Sequence, residues 1–399
     1  MKKIPPARQG VDADMESSHD GNHLRAGEHL VPFVDLKRQY SHQRYEIRSA
    51  INRVLSSGFY ISGPEVEAFE DEFAKYCAVP YCIGLSNGVD AIEIALRALA
   101  IQSGDEVITV ANAGMHSTVA IRAVGAVPVF AEVDPITLCL SPEGLDKAIT
   151  SRSRAVIITH LYGRVADLNA LCDRARKSNL VIVEDCFQAH GATLNGISVG
   201  SWGDVGCFCF SPTRVLGAMG EAGAMITGDL KIAEHARLLR QYGCGHDYTS
   251  HLPGGRSSFM DEFQAAVLRV KLPLLEESNL KRRLIAQTYH INLNTSRHKL
   301  TNDFQPEQCV YQFFVIRSSQ RDRLMSILKN RGIGCVVHYP IPDHLQPACS
   351  DLGYKPGALP ETEKASAEVL SLPCYPELSA AEVEQVCQII NDALKEAVI

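Results

Sequence analysis

Several things are missing from these 399 residues, and each absence removes a class of protein. There is no long run of either charge: 39 Lys and Arg stand against 46 Asp and Glu, for a net charge of −7. Nucleic acid and anionic membrane are therefore poor partners. Residues 1–30 are polar and lack the apolar stretch that a signal peptide or membrane span needs. They are expected to form a flexible tail on a cytoplasmic protein. The thirteen cysteines include no CxxC pair, and neither Cys207 with Cys209 nor Cys77 with Cys82 has zinc-site spacing, so no metal is expected. Scattered through a long chain, with Cys139, Cys207, Cys209 and Cys335 in apolar runs, they read as buried thiols rather than a disulfide scaffold. Internal repeats, low-complexity segments and a Walker A loop are absent too.

What remains is an alternation of short β-branched runs with amphipathic helical patterns. "DEVITV", "VPVFAEV", "RAVIITHLYG", "LVIVEDC", "GDVGCFCF" and "AMITG" read as strands, separated by helices such as "DLNALCDRARKSN". That rhythm predicts an α/β fold whose largely parallel sheet is covered on both faces. A long helix follows Asp261 and should kink at Pro273. Beyond it the strands "YQFFVIRS" and "GCVVHYP" suit a smaller α+β unit. The predicted division is a large domain over 31–280 and a small one over 281–399.

In open α/β sheets ligands bind beyond the carboxyl ends of strands. Asp185 stands there in "VIVEDCFQAHGA", followed within a turn by Gln188 and His190; it is either a ligand-facing carboxylate or the cap of the next turn. Ser86, Asn87 and Gly88 join a strand to a helix whose free amides could hold an anion or simply be capped. His160 in "THLYG" and His338 in "VHYPIP" could each be an acid, a base or a hydrogen-bonded structural histidine. "GAMGEAG" reads as a tight turn, not a dinucleotide loop. A serine hydrolase is not expected.

Taken in order, "VPFVDLKRQY", "SGPEVEAFEDEFAKYC", "GDEVITVAN", "HLYGRVADL", "VEDCFQAHGA", "MDEFQAAVLRVKL" and "GIGCVVHYPIPDHLQP" resemble the DegT/DnrJ/EryC1/StrS sugar aminotransferases, from about Val31 to about Val386. The resemblance implies the fold-type I architecture of pyridoxal-phosphate enzymes. Asp185 then matches the aspartate that keeps the pyridinium protonated, and Gln188 the glutamine beside the cofactor's phenolic oxygen. His190 belongs to the same block. Where the family carries its Schiff-base lysine, this chain has Arg214. Val89 stands for a phosphate-binding threonine, Gly114 for the ring-stacking aromatic, Cys209 for a phosphate-binding serine, and Ser257 for the asparagine lent by a neighbouring subunit.

A guanidinium cannot form the Schiff base. The resulting expectation is a chain of natural-product or deoxysugar biosynthesis that has left Schiff-base chemistry, with no covalent cofactor and pyridoxal phosphate held non-covalently if at all. Arg214, Asp185, His160 and His190 would then act on a carbonyl-containing small molecule by cyclisation, isomerisation, dehydration or condensation. Gln188, Ser86, Asn87, Gly88, His116, Ser211, Ser257 and His338 would bind it. Two alternatives stay open: a pyridoxal-phosphate- and glutamate-dependent keto-sugar aminotransferase, and an inactive partner subunit of one. A homodimer with a shared active site is implied by the resemblance.

Overall fold

The computed structural model describes residues 30–245, 248–293, 299–300 and 308–395. All but the last residue of the expected tail lies outside them. Two helices open the fold, α1 (Leu36–Ser57) and α2 (Pro64–Tyr76). The large sheet is then threaded by helices: β1 (Tyr81–Leu85), α3 (Gly88–Ala98), β2 (Glu106–Val110), α4 (His116–Ala123), β3 (Val127–Ala131), α5 (Pro142–Ala148), β4 (Ser153–Thr159), α6 (Leu168–Lys177) and β5 (Val181–Asp185). A small hairpin of β6 (Thr193–Leu194) and β7 (Ile197–Ser198) precedes β8 (Val205–Cys209), β9 (Gly223–Thr227) and α7 (Leu230–Leu239).

The seven strands lie in the order β1-β9-β8-β5-β4-β2-β3. Only β9 runs against the others, pairing antiparallel with β1 and β8. Each strand sends alternate residues to opposite faces. Ile108, Val156, Ile158, Ile182, Phe208 and Ile226 enter one apolar core, while Val107, Ala155, Ile157, Val183, Cys207 and Met225 enter the other. Burial on both faces explains why these strands read as continuous apolar runs.

Beyond the sheet, α8 (Glu262–Lys271) stops at a single 3-10 turn containing Pro273, and α9 (Leu275–Asn292) continues from it. The proline thus divides the expected long helix, as its missing N–H requires. A three-stranded antiparallel sheet of β10 (Lys299–Leu300), β11 (Phe314–Arg317) and β12 (Val369–Leu372) follows, with α10 (Arg321–Asn330), α11 (Pro360–Glu368) and α12 (Ala380–Lys395). Its core joins Tyr289, Phe314, Ile316, Leu328, Leu370 and Val386. The expected strand in "GCVVHYP" is reduced to one bridge, Val336 to Ser371, because Tyr339 turns the chain away with a φ of 61°.

All thirteen cysteines are free, and every one but Cys244 is buried. None of the described helices is long and apolar enough to cross a membrane.

Candidate active site

The carboxyl ends of β4, β5 and β8 and the amino end of α3 face one another across the sheet edge. Asp185, the last residue of β5, is 3% exposed. One of its oxygens accepts from Thr159 Oγ1 at 3.2 Å and the other from the Phe187 amide at 3.1 Å. Burial raises its pKa; the Phe187 amide, His116, Arg214 and Thr159 pull it back down. A carboxylate held this way is ready to keep a proton on a basic nitrogen placed before it.

Arg214 lies in the turn between β8 and β9, which is closed by hydrogen bonds from Phe210 N to Ala222 O and from Ala218 N to Phe210 O. Burial works against its charge, yet Cys209, Tyr339 and Asp185 around it make the guanidinium more basic than usual. Its Nε has no hydrogen-bond partner. Cys209 Sγ lies 3.2 Å from Ser211 Oγ. The far side of the turn is held by Lys271, whose Nζ donates to Gly217 O at 2.6 Å.

Gln188 joins two parts of the chain that are far apart in sequence. Its Oε1 accepts from Tyr162 N at 2.6 Å and its Nε2 donates to the Tyr339 hydroxyl at 2.9 Å. The Tyr339 ring lies against Gly114, where an added Cβ would run into it. His116 stands between the rings of Phe187 and Tyr339, with centroid distances of 5.9 and 6.5 Å.

At the start of α3, the Asn87 side chain caps the Asp90 amide at 2.8 Å. The first-turn amides of Gly88 and Val89 remain for an anion. Ser86 lies in the run Gly84-Leu85-Ser86-Asn87-Gly88, which has the spacing of a nucleophile elbow. Its hydroxyl instead donates to Asp90 at 2.7 Å and meets Ser258 at 3.1 Å. None of these bonds involves a histidine, which removes hydrolase chemistry from this serine.

The other expected site residues are placed differently. His160 is fully buried, with Nε2 on Glu184 at 3.0 Å and Nδ1 accepting from Ala166 N at 3.2 Å. His190 is packed between Phe208 and Phe210, and burial, then Arg214, lowers its pKa to about 3. Both imidazoles are buried and held there, His160 by its bonds to Glu184 and Ala166 and His190 by its ring contacts. His338 stacks on Phe313 at 3.8 Å and bonds Ser371 through Nδ1; burial and Arg214 bring it to about 3 as well. Ser257 is exposed and bridges Gln241 through its backbone. The sequence reading passed over Tyr339, Phe187, Thr159 and Asp343. Asp343, whose pKa burial raises well above the usual aspartate value to about 6, grips the loop at Met115 N and Thr118 Oγ1. Only the clustering of aromatics in "VHYPIPDH" hinted at Tyr339.

Against this geometry, the model of the DegT/DnrJ/EryC1/StrS aminotransferase family matches residues 41–391. A dTDP-3-amino-3,4,6-trideoxy-alpha-D-glucose transaminase of Streptomyces venezuelae is 42% identical over 372 residues, covering 92% of this chain and 97% of the relative. The structure of S. venezuelae DesV in complex with a ketimine intermediate superposes with a TM-score of 0.88 at 41% identity, covering 91% of this chain and 98% of that one. NtdA of Bacillus subtilis with bound cofactor PMP gives a TM-score of 0.85 at 30% identity, covering 92% and 85%.

These relatives correct two expectations. Transaminases at this identity, and solved neighbours carrying a ketimine or PMP, point to pyridoxal-phosphate-dependent amino transfer rather than to a chain that has left that chemistry. They likewise overturn the expectation of a site without the cofactor's covalent chemistry. The expectation drawn from Arg214, Val89, Gly114, Cys209 and Ser257 failed because a few altered side chains were weighed above a likeness that covers most of the chain.

The residues present could hold the cofactor, with Asp185 at its ring nitrogen, Gln188 at its phenolic oxygen, and the α3 amides and the unpartnered Arg214 Nε at its phosphate. Position 214 itself offers a guanidinium and no condensable amine. The match over most of the length, in sequence and in fold, makes the chain a member of the DegT/DnrJ/EryC1/StrS aminotransferase family.

Proposed function

We propose that this protein serves pyridoxal-phosphate-dependent transfer of an amino group to a nucleotide-linked keto sugar, in deoxysugar or antibiotic biosynthesis. The observation that carries the reading is the buried Asp185 at the end of β5, flanked by Gln188 and Arg214 and facing the amino end of α3. The named sugar transaminase at 42% identity supplies the substrate class. Bound pyridoxal phosphate supplies an electron sink and carries the amino group. Asp185 would hold the proton on the ring nitrogen. Gln188 would fix the phenolic oxygen, and the α3 amides would take the phosphate, with Ser211 and Arg214 completing the anion's surroundings. His116 and Tyr339 would wall the sugar side.

We further infer a cytoplasmic homodimer with a shared site. The exposed run Phe59, Tyr60 and Ile61 after α1 supports an interface there. The test is incubation of the purified protein with pyridoxamine phosphate and a dTDP-linked keto sugar, followed by mass analysis for the amino sugar. No amino sugar at any enzyme concentration sinks this reading.

Arg214 favours a second reading, an inactive subunit that pairs with a lysine-bearing relative. Turnover that appears only in a mixed dimer would decide for it.

A further inference from the structure

We propose that Tyr339 is a removable stopper of the site, and that its displacement sets the affinity for a pyridoxal- or pyridoxamine-type phosphate ester. The proposal rests on the reading above for the class of ligand. Its geometry stands on four observations.

The Tyr339 hydroxyl takes the hydrogen bond of Gln188 Nε2, and the Arg214 guanidinium beside it opposes the rise in pKa that burial causes. A ligand that uses Gln188 Nε2 therefore competes with this phenol. The ring fills the volume beside Gly114 that any larger residue there would need. Glycine at that position, with a φ of 81°, makes the seat possible. Tyr339 is held in the left-handed region at a φ of 61° although a proline follows it, a conformation that a residue before proline disfavours. Finally, the segment runs between two anchors, His338 on Ser371 and Phe313 and Asp343 N on Ala111 O; between them Ile341 O and Pro342 O accept from Gln346 and Leu345 of the following turn, and the Ile341 side chain is exposed. A strained aromatic between two anchors, held by a donor that a ligand needs, moves when that donor is taken.

The test is calorimetric titration of the full chain with pyridoxamine phosphate, and separately with inorganic phosphate. Tyr339→Ala is expected to bind pyridoxamine phosphate about tenfold tighter than wild type. Tyr339→Phe keeps the ring and loses the hydrogen bond from Gln188; it is expected to gain about threefold and guards against misfolding of the alanine variant. Phosphate affinity should not change in either. Equal or weaker binding of pyridoxamine phosphate in both variants overturns the stopper. So does an equal gain for phosphate, which would place the effect at Arg214 alone. Amino-sugar formation is scored separately: tighter binding without turnover leaves the stopper standing and refutes the proposed activity, whereas turnover with unchanged affinity refutes only the stopper.

Discussion

Gln188 Nε2 donates to the Tyr339 hydroxyl at 2.9 Å, while the other end of the same amide accepts from Tyr162 N at 2.6 Å. Both tyrosines have positive φ, 61° and 59°. One side chain therefore holds two disfavoured backbone turns, from distant parts of the sequence, over the end of β5. Gln188→Ala would leave the buried Tyr162 amide without an acceptor. A loss of about 1–3 kcal/mol is expected, read from the urea midpoint at unchanged slope. A midpoint equal to wild type would show that water or another group replaces the amide.

Asp185→Asn keeps the size of the side chain but removes its charge. With Thr159 and the Phe187 amide still at hand, the fold should hold. Affinity for pyridoxamine phosphate should fall by about tenfold at neutral pH, the scale of a lost charge-assisted hydrogen bond. Titration calorimetry reads it. Unchanged affinity would remove Asp185 from the ring nitrogen.

The sheet was legible in the sequence because strands buried on both faces, such as "VIVED" and "VGCFC", have little choice of composition. The site was legible in part. Asp185 and Gln188 follow a strand directly and sit where strand ends put them. Tyr339 does not: it reaches the site through a turn more than 150 residues downstream, and only the tertiary fold brings it to Gln188. His160 and His190 misled for the converse reason, since residues adjacent to a strand end in sequence can still turn into the core. Glu184, one residue before Asp185 in β5, points to the other face, as strand alternation requires.

Glu184 is fully buried and its carboxylate is saturated. Oε1 accepts from Trp202 N and Gly203 N, each at 2.8 Å; Oε2 accepts from Gly200 N at 2.8 Å and His160 Nε2 at 3.0 Å. His160, Glu184 and Cys186 come close enough to hold a metal ion. A metal would have to displace bonds already made on both His160 nitrogens and both carboxylate oxygens. Zinc is therefore expected to leave the melting temperature unchanged, whereas Glu184→Ala, which strands three amides, should cost about 3–5 kcal/mol. A stoichiometric rise in melting temperature with zinc would make the cluster a metal site.

Lys271 carries a pH dependence with a definite sign. Its Nζ is bonded to Gly217 O and Gln39 Oε1, and burial lowers its pKa to about 8, with Glu377 opposing. The unfolded chain's lysine titrates near ~10.4. Between these values the unfolded state binds more protons, so this group's contribution to stability rises with pH across the window and is least below the folded pKa. The full difference is about 3 kcal/mol. Lys271→Met should abolish that rise, seen as a flatter urea stability profile from about pH 7 to about pH 10. Parallel profiles for the two proteins would show that Lys271 is solvated.

Arg214→Lys places a primary amine where the chain has a guanidinium, in a turn whose backbone closure by Phe210, Ala218 and Ala222 does not involve the side chain. The variant should therefore fold as wild type does. A lysine is shorter at its tip and gives up the contact with Tyr339, which loosens the clamp on that ring. Burial and the positive end of α3 would lower its pKa against the pull of Asp185, so that part of its amine population would be neutral and nucleophilic. With pyridoxal phosphate the variant is expected to turn yellow, and borohydride should discharge the colour and leave a reduced adduct that peptide mapping locates at position 214. Wild type should give no adduct at that position, because a delocalised guanidinium does not condense with an aldehyde under these conditions. A folded variant that binds pyridoxal phosphate yet forms no adduct at 214 would mean that the aldehyde carbon lies out of reach of the turn, and that Asp185 and Gln188 orient the ring differently from the arrangement derived above.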